Sequence, residues 1–173
     1  MQDYIKTNPQ LTSAVVCYLV KKGKVILGLR KRVSFGLGEN LISGIGGKVG
    51  DVPGLENETF EEALFREVKE EINVEITSYK KVGEIKFLFP NKTKWNQFVI
   101  AYLVFDWIGE PQESESIKPM TFNFKEIPVD RMWADNRITL PLFLEGKEIE
   151  ATFMYNETND KILEQEINII NKK

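Results

Sequence analysis

Three glutamates on one predicted helical face are the residues of this sequence whose types and spacing best suit chemistry. The segment REVKEEINV, residues 66–74, contains Glu67, Glu70 and Glu71 within five positions. Residues three or four apart share a helix face, so these carboxylates fall within roughly 100° of one side and repel, at about 0.2–0.5 kcal/mol per close pair. Lys69 points to the opposite side, so the group has no cationic partner of its own. A bound divalent cation would neutralise it; a solvated acidic helix face is the alternative, and the cluster alone does not separate the two.

The amino-acid composition excludes several kinds of active site. The chain has no histidine, which excludes a Ser-His-Asp triad, a Cys-His pair and a histidine zinc site. Any bound metal would therefore be held by oxygen ligands, which suit Mg²⁺ or Mn²⁺. The net charge of −3 argues against a nucleic-acid polymer as partner, because proteins that bind one usually carry a basic face.

The overall composition is typical of one soluble globular domain, which we expect to span residues 1–173. The 173 residues are 42% hydrophobic and 28% charged, and a chain of this length can bury a core without disulfides. The single cysteine, Cys17, lies in an apolar run, which predicts a buried thiol and fits a reducing compartment. No signal peptide or membrane-spanning run is evident, so we expect a cytoplasmic protein without a membrane partner. The sequence leaves monomer and homodimer open.

The hydrophobic pattern predicts an α+β fold, in which a mixed sheet packs against at least two helices. A glycine-rich loop is expected over 35–58, and a short helix near 139–145. The last predicted strand could equally be an amphipathic helix. The predicted strands lie at 13–20, 24–30, 82–89, 98–107, around 118–124, 149–155 and 162–170.

The helix that carries the glutamates has a start and a stop signal. Thr59 and Glu62 fit a capping box, in which each side chain bonds the backbone N–H of the other residue. Asn73 ends the helix, because asparagine is the residue after glycine that best tolerates a left-handed cap. The buried stripe recurs every fourth residue, at Leu64, Val68 and Ile72.

The glycines before this helix, together with its charges, resemble the Nudix box. The family pattern runs glycine, five residues, glutamate, seven residues, then Arg-Glu-apolar-any-Glu-Glu-any-Gly-apolar. Gly-Gly-Lys stands at 46–48, and seven residues separate Glu58 from the run REVKEE at 66–71. Asn73 replaces the usual glycine. Ten residues instead of five separate Gly47 from Glu58, which indicates a loop insertion around GDVPG.

The resemblance covers nearly the whole chain. Within the family, the chain is similar to the MutT-type branch, whose enzymes sanitise oxidised purine nucleotides. It implies the Nudix fold, an α/β/α sandwich, and Mg²⁺- or Mn²⁺-dependent hydrolysis of a phosphoric anhydride bond in a small nucleotide. The stretches that carry it are VILGLRKR at 25–32, GIGGKVG at 44–50, DRMWADN at 130–136 and EGKEIEATFMY at 145–155.

The resemblance also implies roles for the residues of the box. Glu67, Glu70 and Glu71 become metal ligands, with one of them able to act as the base on the attacking water. Glu115 in the loop PQESES is the expected further acidic ligand, with Glu113 as the other option. Gly47 is also an expected metal-binding residue, since Gly46 and Gly47 let the backbone approach the metal or phosphate. Arg66 has a structural role, in which it pairs with Glu58.

A nucleotide subsite follows from the same resemblance. Trp133 would stack on a purine, although a core aromatic is the alternative, and Asp135 would bond the base edge. Asn136 stands where close relatives carry a second aspartate, and an Asp-Asn pair fixes donor and acceptor roles without titration. The other expected substrate contacts are Phe35, Ser43, Arg30 and Lys48. Ser43 stands where relatives have an asparagine. For Arg30 and Lys48, a plain surface charge is equally expected.

Three functions follow for comparison. The first is a nucleoside triphosphate pyrophosphohydrolase that acts on oxidised purines of the 8-oxo-dGTP type. The second keeps the chemistry but acts on a dinucleotide, a nucleotide sugar or another nucleoside diphosphate derivative, as Ser43 and Asn136 would favour. The third is a non-catalytic nucleotide-binding module, against which the complete set of box glutamates argues.

Overall fold

The computed structural model of the chain describes residues 1–31 and 40–170 and contains one mixed β-sheet with helices on both faces. The expected α+β sandwich is therefore confirmed. The strands are β1 (Thr12–Lys21), β2 (Lys24–Arg30), β3 (Ile42–Ser43), β4 (Glu75–Leu88), β5 (Gln97–Ile108), β6 (Ile117–Asn123), β7 (Glu148–Tyr155) and β8 (Ile162–Ile170), and the helices are α1 (Gln2–Lys6), α2 (Phe60–Ile72) and α3 (Asn136–Leu144).

The sheet has the strand order β3-β2-β1-β5-β4-β7-β8, and β6 pairs with the other side of β2. The β1–β5 and β4–β7 pairs are parallel and the others antiparallel. β1 and β2 pair only next to their turn, between Leu19–Lys21 and Lys24–Ile26. Beyond that point the stretch 42–48 runs between them, because Ser43 pairs with β2 while Ile45 and Lys48 pair with β1.

The expectation of an irregular loop over 35–58 is therefore wrong for its middle. The short strand β3 and the two bridges to β1 were missed because alternating glycines hide their period. This pairing matters for the site, since it holds the backbone of Gly46 and Gly47 against the sheet.

The two faces of the sheet bury separate cores. Alternate residues of β1 point to opposite faces, as the period of a strand requires. Cys17 and Leu19 pack with the apolar stripe of α2, whereas Tyr18 and Val20 pack with Leu140 and Phe143 of α3. Cys17 is fully buried, as expected, and burial raises the pKa of its thiol.

Both ends of α2 form as the sequence predicts. The Thr59 hydroxyl accepts from the Glu62 N–H at 3.2 Å, and the Glu62 carboxylate accepts from the Thr59 N–H at 2.8 Å. Asn73 adopts the left-handed conformation, with φ 56° and ψ 38°. The departure from the usual glycine is therefore accommodated locally.

Three further elements differ from the prediction. β4 begins at Glu75, seven residues before the predicted start, because its first half is mostly exposed and carries little hydrophobic alternation. α1 was missed because it is short and buries no residue. α3 begins at Asn136 and not near 139, which places that residue in its first turn. The segment 162–170 is a strand. None of the helices within residues 1–31 and 40–170 is long and apolar enough to cross a membrane.

Thr59→Ala should lower the free energy of unfolding by about 1 kcal/mol, because it removes the acceptor for the Glu62 N–H at the start of α2. Urea denaturation followed by circular dichroism measures the change. Thr59→Ser is the matched control and should cost less, since serine keeps the hydroxyl. Equal losses in the two variants would contradict the capping role.

Candidate active site

A cleft of about 540 Å³ opens beside the stretch 42–48. Its walls come from β1, the 42–48 stretch, α2, β4, the start of β5 and the turn before α3. We call the part formed by Gly46, Gly47, Glu67 and Glu71 the acidic wall. We call the part formed by Phe87, Phe89, Trp133, Asp135 and Asn136 the base wall.

In the acidic wall, two carboxylates of α2 press against the glycine backbone. The Gly46 N–H donates to Glu71 at 3.1 Å, and the other oxygen of this buried carboxylate accepts from Arg30. A Cβ atom added to Gly46 would lie 2.1 Å from the backbone oxygen of Val15, so only glycine fits there. One added to Gly47 would lie 2.3 Å from an oxygen of Glu67 and would push that carboxylate aside. The backbone of Gly46 and Gly47 thus approaches these two carboxylates closely, while its expected approach to a metal or phosphate stays a prediction.

Arg66 is the cationic partner of Glu67 and Glu70, a pairing that the sequence did not predict. Its guanidinium donates to Glu67 at 2.8 Å and to Glu70 at 3.2 Å. It also binds both oxygens of Glu58, at 2.7 and 2.9 Å, and the carbonyl of Lys48 at 2.9 Å. The expectation of unpartnered charge is wrong, because the segment's own first residue folds back over the carboxylates. The expected pairing of Arg66 with Glu58 is present.

The charges of this network perturb one another's protonation. The hydrogen bond from Arg66 lowers the pKa of Glu58, and the same contact raises the pKa of Arg66. Burial raises the pKa of Glu67, although Arg66 opposes the effect. A carboxyl that is buried and crowded by Glu70 and Glu71 favours either a proton or a cation.

The three glutamates differ in their position relative to the cleft. Glu67 and Glu71 line the cleft, whereas the Glu70 side chain is 56% exposed and turns toward Arg66. Within residues 1–31 and 40–170, no three Asp, Glu, His or Cys side chains stand close enough to hold a metal together. The chemistry of the remaining donors still fits Mg²⁺, which is usually bound through one or two carboxylates with waters and substrate phosphates.

The expected phosphate contacts of the cleft have different surroundings. Arg30 lines the cleft, and its guanidinium binds Glu71, the Ser43 hydroxyl at 2.9 Å and the Gly44 carbonyl at 3.2 Å. The Ser43 hydroxyl in turn donates to the Gly44 carbonyl at 2.9 Å. Ser43 is therefore engaged with its own neighbours, and the exposed Lys48 is the cation at the cleft whose side chain extends into solvent.

Two predicted contacts lie away from the cleft or outside the described residues. Glu115 is exposed and is not among the residues that line the cleft, and its neighbour Glu113 pairs with Lys31 at 2.6 Å. Phe35 lies outside the described residues.

The base wall is built on a buried pair of polar residues. Asp135 and Asn136 are 5% and 7% exposed and both line the cleft. The Tyr155 hydroxyl donates to one oxygen of Asp135 at 2.7 Å, and the Asn136 amide donates to the other at 3.1 Å. Burial raises the pKa of Asp135 to about 6, while these two donors oppose the rise.

Aromatic rings frame this polar pair. Trp133 is partly buried and meets the Tyr155 ring edge to face, with centroids 5.8 Å apart. Phe89 stacks on Tyr155 at 4.9 Å, and Phe87 also lines the cleft. The sequence reading missed Phe87 and Phe89. Their spacing of two, with Phe87 in β4 and Phe89 directly after it, is the signal that could have found them, because it puts both rings on one face of extended chain.

The chain is similar to known proteins in sequence and in fold. The family model described as the NUDIX domain matches residues 10–143. A Danio rerio protein called oxidized purine nucleoside triphosphate hydrolase is 34% identical over 161 residues, which cover 93% of this chain and 95% of that protein. A Mus musculus protein of the same name is 33% identical over 140 residues, covering 81% and 83%. The crystal structure of a MutT protein from Bacillus halodurans superposes with a TM-score of 0.74 at 19% identity, covering 91% of this chain and 98% of that one.

Asp135→Asn should remove a pH dependence of stability. Because the pKa of Asp135 is raised from 3.8 to about 6 on folding, the native state holds more protons between these values. The stability of the wild type should therefore fall relative to the variant, by about 1–3 kcal/mol, as pH rises from about 4 to 6, and stay level above. Urea denaturation of both proteins at several pH values measures the difference. A difference that does not change with pH would contradict the raised pKa.

Proposed function

The chain belongs to the NUDIX family, and we propose that it is a Mg²⁺-dependent nucleoside triphosphate pyrophosphohydrolase. It would convert an oxidised purine nucleotide of the 8-oxo-dGTP type to the nucleoside monophosphate and pyrophosphate. Relatives that carry the name oxidized purine nucleoside triphosphate hydrolase support the substrate class.

One structural juxtaposition carries the proposal. A single cleft of about 540 Å³ contains both a pair of carboxylates and an aromatic pocket with buried polar groups. This volume is in the range of small-molecule sites, which combine apolar walls with a few placed polar groups. The acidic wall suits the polyphosphate with its cation, and the base wall suits the purine.

The residues of the acidic wall divide the chemical work. Glu67 and Glu71 would hold Mg²⁺, which when bound polarises phosphoryl oxygens and lowers the pKa of a bound water. Glu67 is also the candidate base, because it faces the cleft and its pKa is raised toward the range in which a carboxylate accepts a proton well. Arg66 holds both the helix and the Lys48 backbone, so it positions Glu67 without reaching substrate.

Cations beside the acidic wall would assist with the charge of the phosphates. Arg30 reaches the cleft through its contact with Glu71, so it would balance that carboxylate when no cation is bound and lie near the phosphates when one is. Lys48 would meet the polyphosphate as an exposed charge. Further ligation by Glu70 or Glu115 would require each side chain to turn from its place in the structure.

A second substrate class remains a candidate on one observation. The Ser43 hydroxyl accepts from Arg30 and donates to the Gly44 carbonyl, so the position where relatives carry a base-reading asparagine has no donor left for a base. A site with fewer base contacts would accept other nucleoside diphosphate derivatives more readily.

Glu67→Gln and Glu71→Gln should each lower kcat by about 10²–10⁴-fold, because a neutral amide neither accepts a proton nor neutralises a cation. Pyrophosphate release with Mg²⁺ measures turnover, and thermal denaturation checks that each variant is folded. Glu75→Gln is the matched control: this exposed glutamate pairs with Lys69 outside the cleft, and its loss should leave turnover unchanged. Near-normal turnover in both cleft variants would refute the mechanism.

A substrate panel should separate the two classes. We expect kcat/KM to be highest for 8-oxo-dGTP, ahead of 2-hydroxy-dATP and dGTP, and lowest for ADP-ribose, which lacks the triphosphate. Product analysis should show the monophosphate and pyrophosphate. ADP-ribose as the best substrate would favour the nucleoside diphosphate alternative.

A further inference from the structure

Four buried side chains form one continuous hydrogen-bond chain across the base wall. The Tyr18 hydroxyl donates to the Asn136 amide oxygen at 3.0 Å, the Asn136 nitrogen donates to Asp135 at 3.1 Å, and the Tyr155 hydroxyl donates to Asp135 at 2.7 Å. The four residues come from β1, the start of α3 and β7, and each is less than a tenth exposed. Tyr18 and Tyr155 have no part in the acidic wall.

The direction of every bond in this chain follows from the carboxylate. An ionised carboxylate only accepts hydrogen bonds, so the Asn136 amide must turn its nitrogen toward Asp135. Its oxygen then faces Tyr18, whose hydroxyl must donate. The raised pKa of Asp135, about 6, still leaves the group ionised at pH 8. The amide orientation is thus set at one end by Asp135 and held at the other by Tyr18.

We propose that Tyr18 is a positioning residue that holds the Asn136 amide in one orientation and thereby makes the Asp135–Asn136 pair select a guanine-type base edge over an adenine-type edge. This inference rests on the proposed function, since it concerns the base of the same substrate. It adds Tyr18 to the residues that determine specificity.

The Asp135–Asn136 pair, once its orientation is fixed, presents a defined set of hydrogen-bond donors and acceptors to the cleft. The second N–H of Asn136 has no acceptor among the described residues. Each oxygen of Asp135 accepts one hydrogen bond from a side chain, and a carboxylate oxygen can accept a second. One donor beside two acceptor positions matches the guanine edge, in which O6 accepts while N1–H and N2–H donate. An adenine edge offers a donor at N6 and an acceptor at N1, so it satisfies two positions at most and in reversed order.

Loss of the Tyr18 hydroxyl would change what the pair presents. The amide oxygen of Asn136 would be buried without a donor, which is costly, and the bond to Asp135 alone would then hold the amide. In a fraction of the molecules the amide would turn its oxygen toward the cleft at the expense of that bond. The cleft would then meet an acceptor where it had met a donor. That arrangement weakens the contact with O6 and favours the N6 amino group of adenine.

The test compares 8-oxo-dGTP with 8-oxo-dATP, which differ only along the edge that faces the pair. At pH 8 with Mg²⁺, the wild type should prefer 8-oxo-dGTP by at least about 100-fold in kcat/KM, because the wrong base leaves buried polar groups unpaired. Tyr18→Phe should reduce this ratio by about 5- to 15-fold, the worth of one hydrogen bond. The change should lie in KM, with kcat for 8-oxo-dGTP within about twofold of wild type.

Tyr102→Phe is the matched control. Tyr102 is a buried tyrosine of the neighbouring strand β5, and its hydroxyl donates to Glu61 at 3.3 Å on the α2 face. Its loss should leave the ratio unchanged. An unchanged ratio in folded Tyr18→Phe, or an equal fall in Tyr102→Phe, would overturn the inference. A wild-type preference for 8-oxo-dGTP over 8-oxo-dATP below about threefold would also overturn the inference. If the wild type hydrolyses neither nucleotide, the proposed function is refuted, and the inference with it.

Discussion

The guanidinium of Arg66 is the interaction on which the active-site geometry depends. It joins Glu58 at the end of the loop, the Lys48 carbonyl beside the glycines, and two glutamates of its own helix. Arginine suits this place because its planar group carries five donors in a fixed fork and stays charged. Without it, three carboxylates would repel one another around a loop with little apolar surface to hold it.

The same arrangement explains how the site tolerates so much buried negative charge. Glu71 is almost fully buried, yet both of its oxygens are bound, by Arg30 and the Gly46 N–H. A buried charge is stable when it is paired and hydrogen-bonded, and strongly destabilising when one partner is lost. The acidic wall is thus stabilised by protein cations, while burial keeps the pKa of Glu67 raised in spite of its hydrogen bond from Arg66.

Local features of the sequence predicted the helix and its box well, because a capping box, a four-residue apolar period and a left-handed asparagine act over a few residues. The contacts that complete the base wall could not be predicted in this way. Tyr18 reaches Asn136 across 118 positions and Tyr155 reaches Asp135 across 20, and only the sheet order brings them together.

Arg66 was missed as the partner of Glu67 and Glu70 for another reason: a neighbouring residue can fold back over the carboxylates, which spacing on a helical wheel does not show. The first half of β4 was missed because its exposed residues carry no core pattern.

The division of the cleft between separate elements has an evolutionary consequence. The groups proposed for hydrolysis belong to α2 and the stretch before it, whereas those proposed to face the base belong to β4, the residue that follows it and the 133–136 segment at the start of α3. Substitutions in the second set can accumulate without disturbing the first. Paralogues built on this scaffold can therefore diverge in the nucleobase they accept while inheriting one unchanged way of cleaving the phosphoanhydride.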